Sequence, residues 1–162
     1  MVRMTVAHLG LDRSANTPVV VLREPAGDRT LRIWIGAAEA AAIALEMRGD
    51  SPPRPMTHDL LKHVLVGLGG ELRRVTITGV RDNTYFAELL VYRGEQILEI
   101  DSRPSDGIAL ALRTDAPIFV REELLDGDAP EPGVVPPTES SAEQLKKFLA
   151  KLDPQDLGRF QP

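Results

Sequence analysis

Ile100-Asp101-Ser102-Arg103-Pro104-Ser105-Asp106-Gly107-Ile108-Ala109-Leu110-Ala111-Leu112 begins as the end of a strand and continues as a helix. Proline suits the first helical position, because no backbone N–H is needed there and its φ is already helical. The N-cap then falls to Arg103, a poor cap, since arginine offers no acceptor to the free N–H groups of the first turn. Ser105 and Asp106 sit in that first turn, beside the positive end of the helix dipole, where phosphate and other anions bind. Four polar side chains (Asp101, Arg103, Ser105 and Asp106) crowd one strand-to-helix corner. Positions that break a local rule in this way point to function.

Working outward, Glu71 to Val80, Thr84 to Tyr92 and Glu95 to Asp101 read as a meander, with turns at Asp82-Asn83 and Arg93-Gly94. After the helix from Pro104 to Arg113 come a short strand, Pro117 to Val120, and one helical turn, Glu122 to Leu125. Toward the N-terminus, residues 2–12 and 17–23 read as strands, with Asn16 and Pro18 at their join. Arg29 to Ile35 alternates Leu31, Ile33 and Ile35 with Arg32 and Trp34, as a third strand should. Gly36 turns the chain into an alanine-dense helix, Ala37 to Met47, which Gly49 stops.

A loop with three prolines, Asp50 to Pro55, leads to a second helix reaching Leu68, with Thr57 as its expected N-cap. Leu60, Leu61, Val64, Leu65 and Leu68 mark its apolar face. The pattern predicts an α+β fold: a mixed, mostly antiparallel sheet of about seven strands with helices packed against it. Residues 1–126 form one domain, 127–139 a linker and 140–162 a tail. Within the tail, Leu145, Phe148, Leu149 and Leu152 fall at helical spacing, as in an amphipathic helix. Ala42 to Arg48 echoes Gly107 to Arg113, and a strand precedes each, so two strand–helix units could face each other across one cleft.

The chain has 162 residues and no cysteine, which excludes disulfides, thiolate zinc sites and a cysteine nucleophile. No apolar run approaches the roughly 20 residues of a membrane span, and the N-terminus reads as a strand and not as a signal peptide. A cytoplasmic protein without a membrane partner is the expectation. Residues 1–125 hold 15 Lys and Arg against 17 Asp and Glu, and residues 126–162 hold 4 against 7. Neither part is the basic module of a tight nucleic-acid binder. There is no phosphate-binding loop, dinucleotide fingerprint, zinc-protease helix or serine-hydrolase elbow.

The corner's chemistry suits phosphodiester cleavage. Two carboxylates can hold a divalent cation, which polarises a phosphoryl group and lowers the pKa of bound water. An arginine grips phosphate oxygens with a planar fork of donors. The same residues also read as a strand end, a helix start and an ion-pair partner. Glu39 is the one charge in an apolar helical start, either a third acidic ligand or a dipole partner. His58 and Asp59 open the second helix behind the rigid loop, either as bases near neutral pH or as a solvated first turn. Asp82-Asn83 is a turn signal, from which Asn83 could orient a water or a phosphate oxygen.

Ile33-Trp34-Ile35-Gly36-Ala37-Ala38-Glu39-Ala40, Arg54-Pro55-Met56-Thr57-His58-Asp59-Leu60, Asp82-Asn83-Thr84-Tyr85-Phe86-Ala87 and Ile100 to Asp106 occur in that order. Together they resemble the bifunctional nuclease family, the DNase/RNase domain of bacteria and plants, over roughly residues 2 to 126. The resemblance implies metal-dependent hydrolysis of DNA and RNA, both weakly bound because the chain has no basic face. On that reading Asp101, Asp106 and Glu39 hold the metal, Mg or Mn. Arg103 clamps phosphate, His58 or Asp59 activates water, and Ser105 and Asn83 complete the catalytic set. The alternative is a non-enzymatic oligomeric binding or regulatory module whose acidic–arginine corner takes an anion or small ligand. A small-molecule phosphodiesterase would share the same site. The tail's apolar stripe needs cover, so a homo-oligomer is expected.

Overall fold

The structure, a computed structural model, describes residues 1–12 and 16–125. The linker and the tail helix expected beyond residue 126 lie outside the described residues. Seven strands form one sheet: β1 (Val2–Asp12), β2 (Thr17–Arg23), β3 (Thr30–Trp34), β4 (Glu71–Arg81), β5 (Thr84–Arg93), β6 (Gln96–Ser102) and β7 (Ile118–Val120). Their order is β3-β2-β1-β7-β4-β5-β6. Every pairing is antiparallel except β4 with β7, and β7 enters between β1 and β4, neither of them its neighbour in sequence. The α+β expectation therefore holds, as does the count of strands. No helix among the described residues is long and apolar enough to cross a membrane.

Among the described residues there are three α-helices, α1 (Ala37–Arg48), α2 (Thr57–Gly67) and α3 (Pro104–Thr114), and a single 3-10 turn, Glu122–Leu124. The alanines of α1 allow it to lie close to both β2 and α3, burying Ala40, Ile43 and Ala44 in the main core. Gly49 ends α1 at φ 70, a left-handed conformation that costs glycine little. Helix α3 is the most buried of the three and sets Ile108 to Ala111 against β4 and β5. That contact needs Gly107. A Cβ built there would lie 2.8 Å from Val75 Cγ1 and 3.3 Å from Leu89 Cδ2. Alanine favours helices over glycine by about 1 kcal/mol, yet overpacking a closed core typically costs about 1–3 kcal/mol. Gly107→Ala should therefore lower the midpoint of thermal unfolding. A raised midpoint would mean that α3 can lift off the sheet at no cost.

Helix α2 departs from the sequence reading in two ways. Its N-cap position is Met56, with Thr57 already helical. The first turn is instead tied by Asp59, whose Oδ2 accepts the Met56 N–H at 2.8 Å. The apolar face Leu60–Leu61–Val64–Leu68 points to solvent, and only Leu65 of that set packs on the core. The cause is that polar residues orient this helix. Asp59 and Lys62 reach Arg113 of α3, and His58 reaches Asp106, so the opposite face turns outward.

Candidate active site

The starts of α1 and α3 meet through an ion pair between Glu39 and Arg103. From α3, Arg103 caps in extended backbone (φ −69, ψ 144) and Pro104 is the first helical residue, as its fixed φ dictates. Having no acceptor, Arg103 folds its guanidinium forward onto the helix instead. Nε donates to Asp106 Oδ2 at 2.7 Å and Nη2 to Asp106 Oδ1 at 3.1 Å. Its third nitrogen, Nη1, lies 2.8 Å from Glu39 Oε1 in the first turn of α1. One guanidinium thus bridges two carboxylates from two helices.

Behind Asp106 stands His58 of α2, with Nε2 3.0 Å from Asp106 Oδ1. Burial pushes the Asp106 carboxyl up, but the hydrogen bonds from Arg103 and His58 outweigh it and hold the group below the usual carboxylate range. Ionised Asp106 can only accept, so Nε2 of His58 is the donor and a neutral ring leaves its lone pair on Nδ1. A carboxylate that fixes an imidazole in one tautomer is the orienting half of a general-base pair. Arg103 is held more firmly protonated by the same Asp106 carboxylate, with Glu39 adding to it.

Two clefts open on this cluster, and Arg103 and Glu39 border both. One, of about 270 Å³, is also lined by Trp34, Asn83, Tyr85 and Ser105. The other, of about 380 Å³, runs along Ala38 to Leu45 of α1 and ends on His58 and Asp106. Trp34 closes β3 and Tyr85 is the second residue of β5, so the sheet must curl for both to reach one cleft. Ser105, at 6% exposure, has no hydrogen-bond partner for its hydroxyl among the described residues. Asn83 sits at the β4–β5 turn with φ 57, after Asp82 with φ 48. Successive left-handed residues are the signature of a tight hairpin, which Asp and Asn tolerate. The turn reading of Asn83 holds, and the turn sets the residue at the edge of the cleft.

Of the candidates, then, Glu39, His58, Arg103, Ser105, Asp106 and Asn83 converge, and two do not. Asp101 pairs in register with Glu88 on β5. The next residue, Ser102, turns its Oγ toward α3, 3.8 Å from where a Gly107 Cβ would be. Because successive strand residues face opposite ways, Asp101 points to the other side of the sheet from Asp106. Asp59 spends both oxygens elsewhere: Oδ1 accepts from Arg113 Nε at 2.6 Å, and Oδ2 from Met56 N–H. Burial pushes the Asp59 carboxyl up, but those two donors hold it below the usual range, which makes it a weak base. Among the described residues, no three His, Asp or Glu side chains are grouped to hold a metal.

Two cleft-lining positions carry no local sequence signal for that place. Trp34 looked like the outward residue of an alternating strand, although it is the only tryptophan in the chain. Its Nε1 donates to Asp12 Oδ2 at 2.9 Å, which anchors the indole beside the cleft. Tyr85 was read only as part of a motif.

The family model for the bifunctional nuclease domain matches residues 20–131. An uncharacterised protein of Mycobacterium tuberculosis strain H37Rv is 39% identical over 163 residues, covering 96% of this chain and 98% of that protein. Bifunctional nuclease 1 of Oryza sativa subsp. japonica is 25% identical over 148 residues, 90% of this chain and 45% of its own length. Bifunctional nuclease 1 of Arabidopsis thaliana is 28% identical over 115 residues, 68% of this chain and 35% of its own length. The chain spans less than half of these plant relatives.

Proposed function

The chain belongs to the bifunctional nuclease family, and we propose on that premise that it hydrolyses phosphodiester bonds of DNA and RNA with the help of a divalent cation. The observation that carries the reading is the Arg103 guanidinium bridging Glu39 and Asp106, with His58 oriented behind it. Two carboxylates already share one cationic group, so their donor chemistry fits a hard cation. Magnesium is commonly held by one or two carboxylates, keeping waters and substrate oxygens as its other ligands, and needs no all-protein cage. Bound between Glu39 and Asp106, it would supply Lewis acidity and a more acidic water.

The chain's own residues supply the rest. Arg103 is 66% exposed, so its side chain has room to leave the carboxylates and fork onto non-bridging phosphate oxygens. The free Ser105 hydroxyl donates to a third oxygen. His58, fixed through Nε2 by Asp106, takes the proton of the attacking water at Nδ1. The acidic balance of the chain keeps substrate affinity low, and Glu39 and Asp106 make hydrolysis, rather than docking of the nucleotide, depend on the cation.

The self-contained charge network of Arg103, Glu39, Asp106 and His58 also suits a binding module that takes an anion without turning it over. A homo-oligomer contact of either form would have the exposed Leu60, Leu61, Val64 and Leu68 of α2 to cover. Labelled single-stranded DNA and RNA incubated with magnesium, manganese or EDTA separate the two readings. We expect cleavage with either metal, none with EDTA, and none from a folded Glu39→Gln, Asp106→Asn double variant purified in parallel. Equal cleavage by both proteins would mark a contaminant. No cleavage by either, with a thermal shift on adding phosphate, would establish the binding module instead.

A further inference from the structure

We propose that the cleft beside Arg103 is a nucleotide subsite, taking one unpaired base against Trp34 and Tyr85 while its phosphate lies on Ser105, the α3 N-terminus and Arg103. The inference rests on the phosphodiester reading above and names what lies next to the phosphate. A helix N-terminus alone would say little. Here it carries a 94% buried serine whose hydroxyl has no partner among the described residues and opens on the cleft. A hydroxyl so placed awaits an acceptor from outside the chain.

The other wall is aromatic. The chain has only seven aromatic residues, and two of them line this one cleft. The indole of Trp34 is pinned at its edge by buried Asp12. Burial pushes the Tyr85 phenol up, so it stays neutral beside an anion. Asn83 adds an amide that can both donate to and accept from the edge of a base. Glu39, which also borders the cleft, is paired with Arg103 in the free protein, so the cleft presents no unpaired carboxylate there to an arriving phosphate.

The volume, about 270 Å³, suits one nucleotide unit and cannot admit a duplex. A base inside a duplex is stacked on both faces, so only an unpaired or flipped one can lie against these rings. Stacking on aromatic faces tolerates any base and either sugar, which accords with a site acting on both DNA and RNA.

Trp34 makes the test direct, since all tryptophan fluorescence comes from this cleft. The full chain, kept in EDTA so that no hydrolysis intrudes, is titrated with thymidine 5′-monophosphate and separately with ribose 5-phosphate. Signals are corrected for nucleotide absorbance. We expect saturable quenching by the nucleotide and much weaker binding of the base-free sugar phosphate. Tyr85→Leu should weaken the nucleotide by roughly 5- to 100-fold, the range of one lost base stack, while Tyr85→Phe, which keeps the ring, should bind nearly as the parent does. Should Tyr85→Leu fail to fold, Tyr85→Phe and the sugar-phosphate comparison still decide the matter. Equal affinity for the two ligands, or no quenching, overturns the subsite. Quenching in a protein that never cleaves nucleic acid upholds the subsite and sinks the hydrolytic reading. Cleavage without quenching does the reverse.

Discussion

Arg113→Leu lowers the stability of the domain by about 3–5 kcal/mol, the usual cost of removing one partner from a buried ion pair, and shifts Tm downward by on the order of 10 °C. The arginine side chain is only 4% exposed. Its Nε binds Asp59 at 2.6 Å, its Nη1 the Ala109 carbonyl at 2.9 Å and its Nη2 the Ala42 carbonyl at 3.2 Å. One side chain therefore ties α1, α2 and α3 together. Leucine would fill the space but leave the Asp59 carboxylate and two carbonyls without their donor. Asp59→Asn should destabilise by a comparable amount, because it leaves the guanidinium buried with only Glu46, 3.9 Å away, as a counter-charge.

The pH dependence follows from the depressed Asp59 carboxyl. A carboxyl whose folded pKa lies below its unfolded value, about 3.9 for aspartate, contributes stability above the unfolded value. That contribution is lost as pH falls through the folded one. The gap between parent and Asp59→Asn should thus be constant near neutrality and close only below about pH 4, as measured by chemical denaturation. A small shift at neutral pH, with activity abolished, would return Asp59 to the catalytic set.

Arg113 also shows what the sequence leaves illegible. At the end of an alanine- and leucine-rich helix it looks like an ordinary partner for the helix dipole, and nothing local says that it turns inward. The partners that make it structural lie 54 and 71 residues away. Local grammar did announce the strands, the glycine that stops α1, and the Arg103–Pro104 start of α3. Pattern also placed Glu39, Arg103, Ser105 and Asp106 at helix starts. It could not say that the sheet curls enough to bring α1, the β4–β5 turn and α3 to one cleft. Asp101 was misplaced by a simple parity. Only Ser102 to Ser105 separate it from Asp106, but the pleat of β6 intervenes, and proximity along the chain became opposite faces in space. The apolar stripe of α2 is the converse case. Its periodicity is real, and yet polar contacts at Asp59, Lys62 and His58 decide which way the helix faces.

Arg103→Lys should reduce cleavage by roughly 10²- to 10³-fold, the loss typical of removing one donor aimed at transition-state charge, while hardly moving Tm. The two halves of that expectation have separate causes. Arg103 is two-thirds exposed, so water screens the guanidinium side of its bonds to the more sheltered Asp106 and Glu39, and such partly exposed pairs are worth about 0–1 kcal/mol. Its contribution to function lies in shape. A guanidinium presents parallel N–H donors that match two oxygens of one phosphate, whereas the lysine ammonium is a point charge that can meet them only one at a time. Lysine also keeps the positive charge beside Asp106 and Glu39, so the electrostatic frame around His58 survives and a lost rate can be assigned to the fork. The loss should fall mainly on kcat, since charge spreads onto the phosphate oxygens as the bond to water forms. A variant that binds nucleotide weakly but turns over at the parent rate would make Arg103 a docking group. A full rate would remove it from the chemistry. A Tm drop as large as that of Arg113→Leu would show that the bridge between α1 and α3 exists to hold the helices together, and the anion-gripping role would then have no residue to perform it.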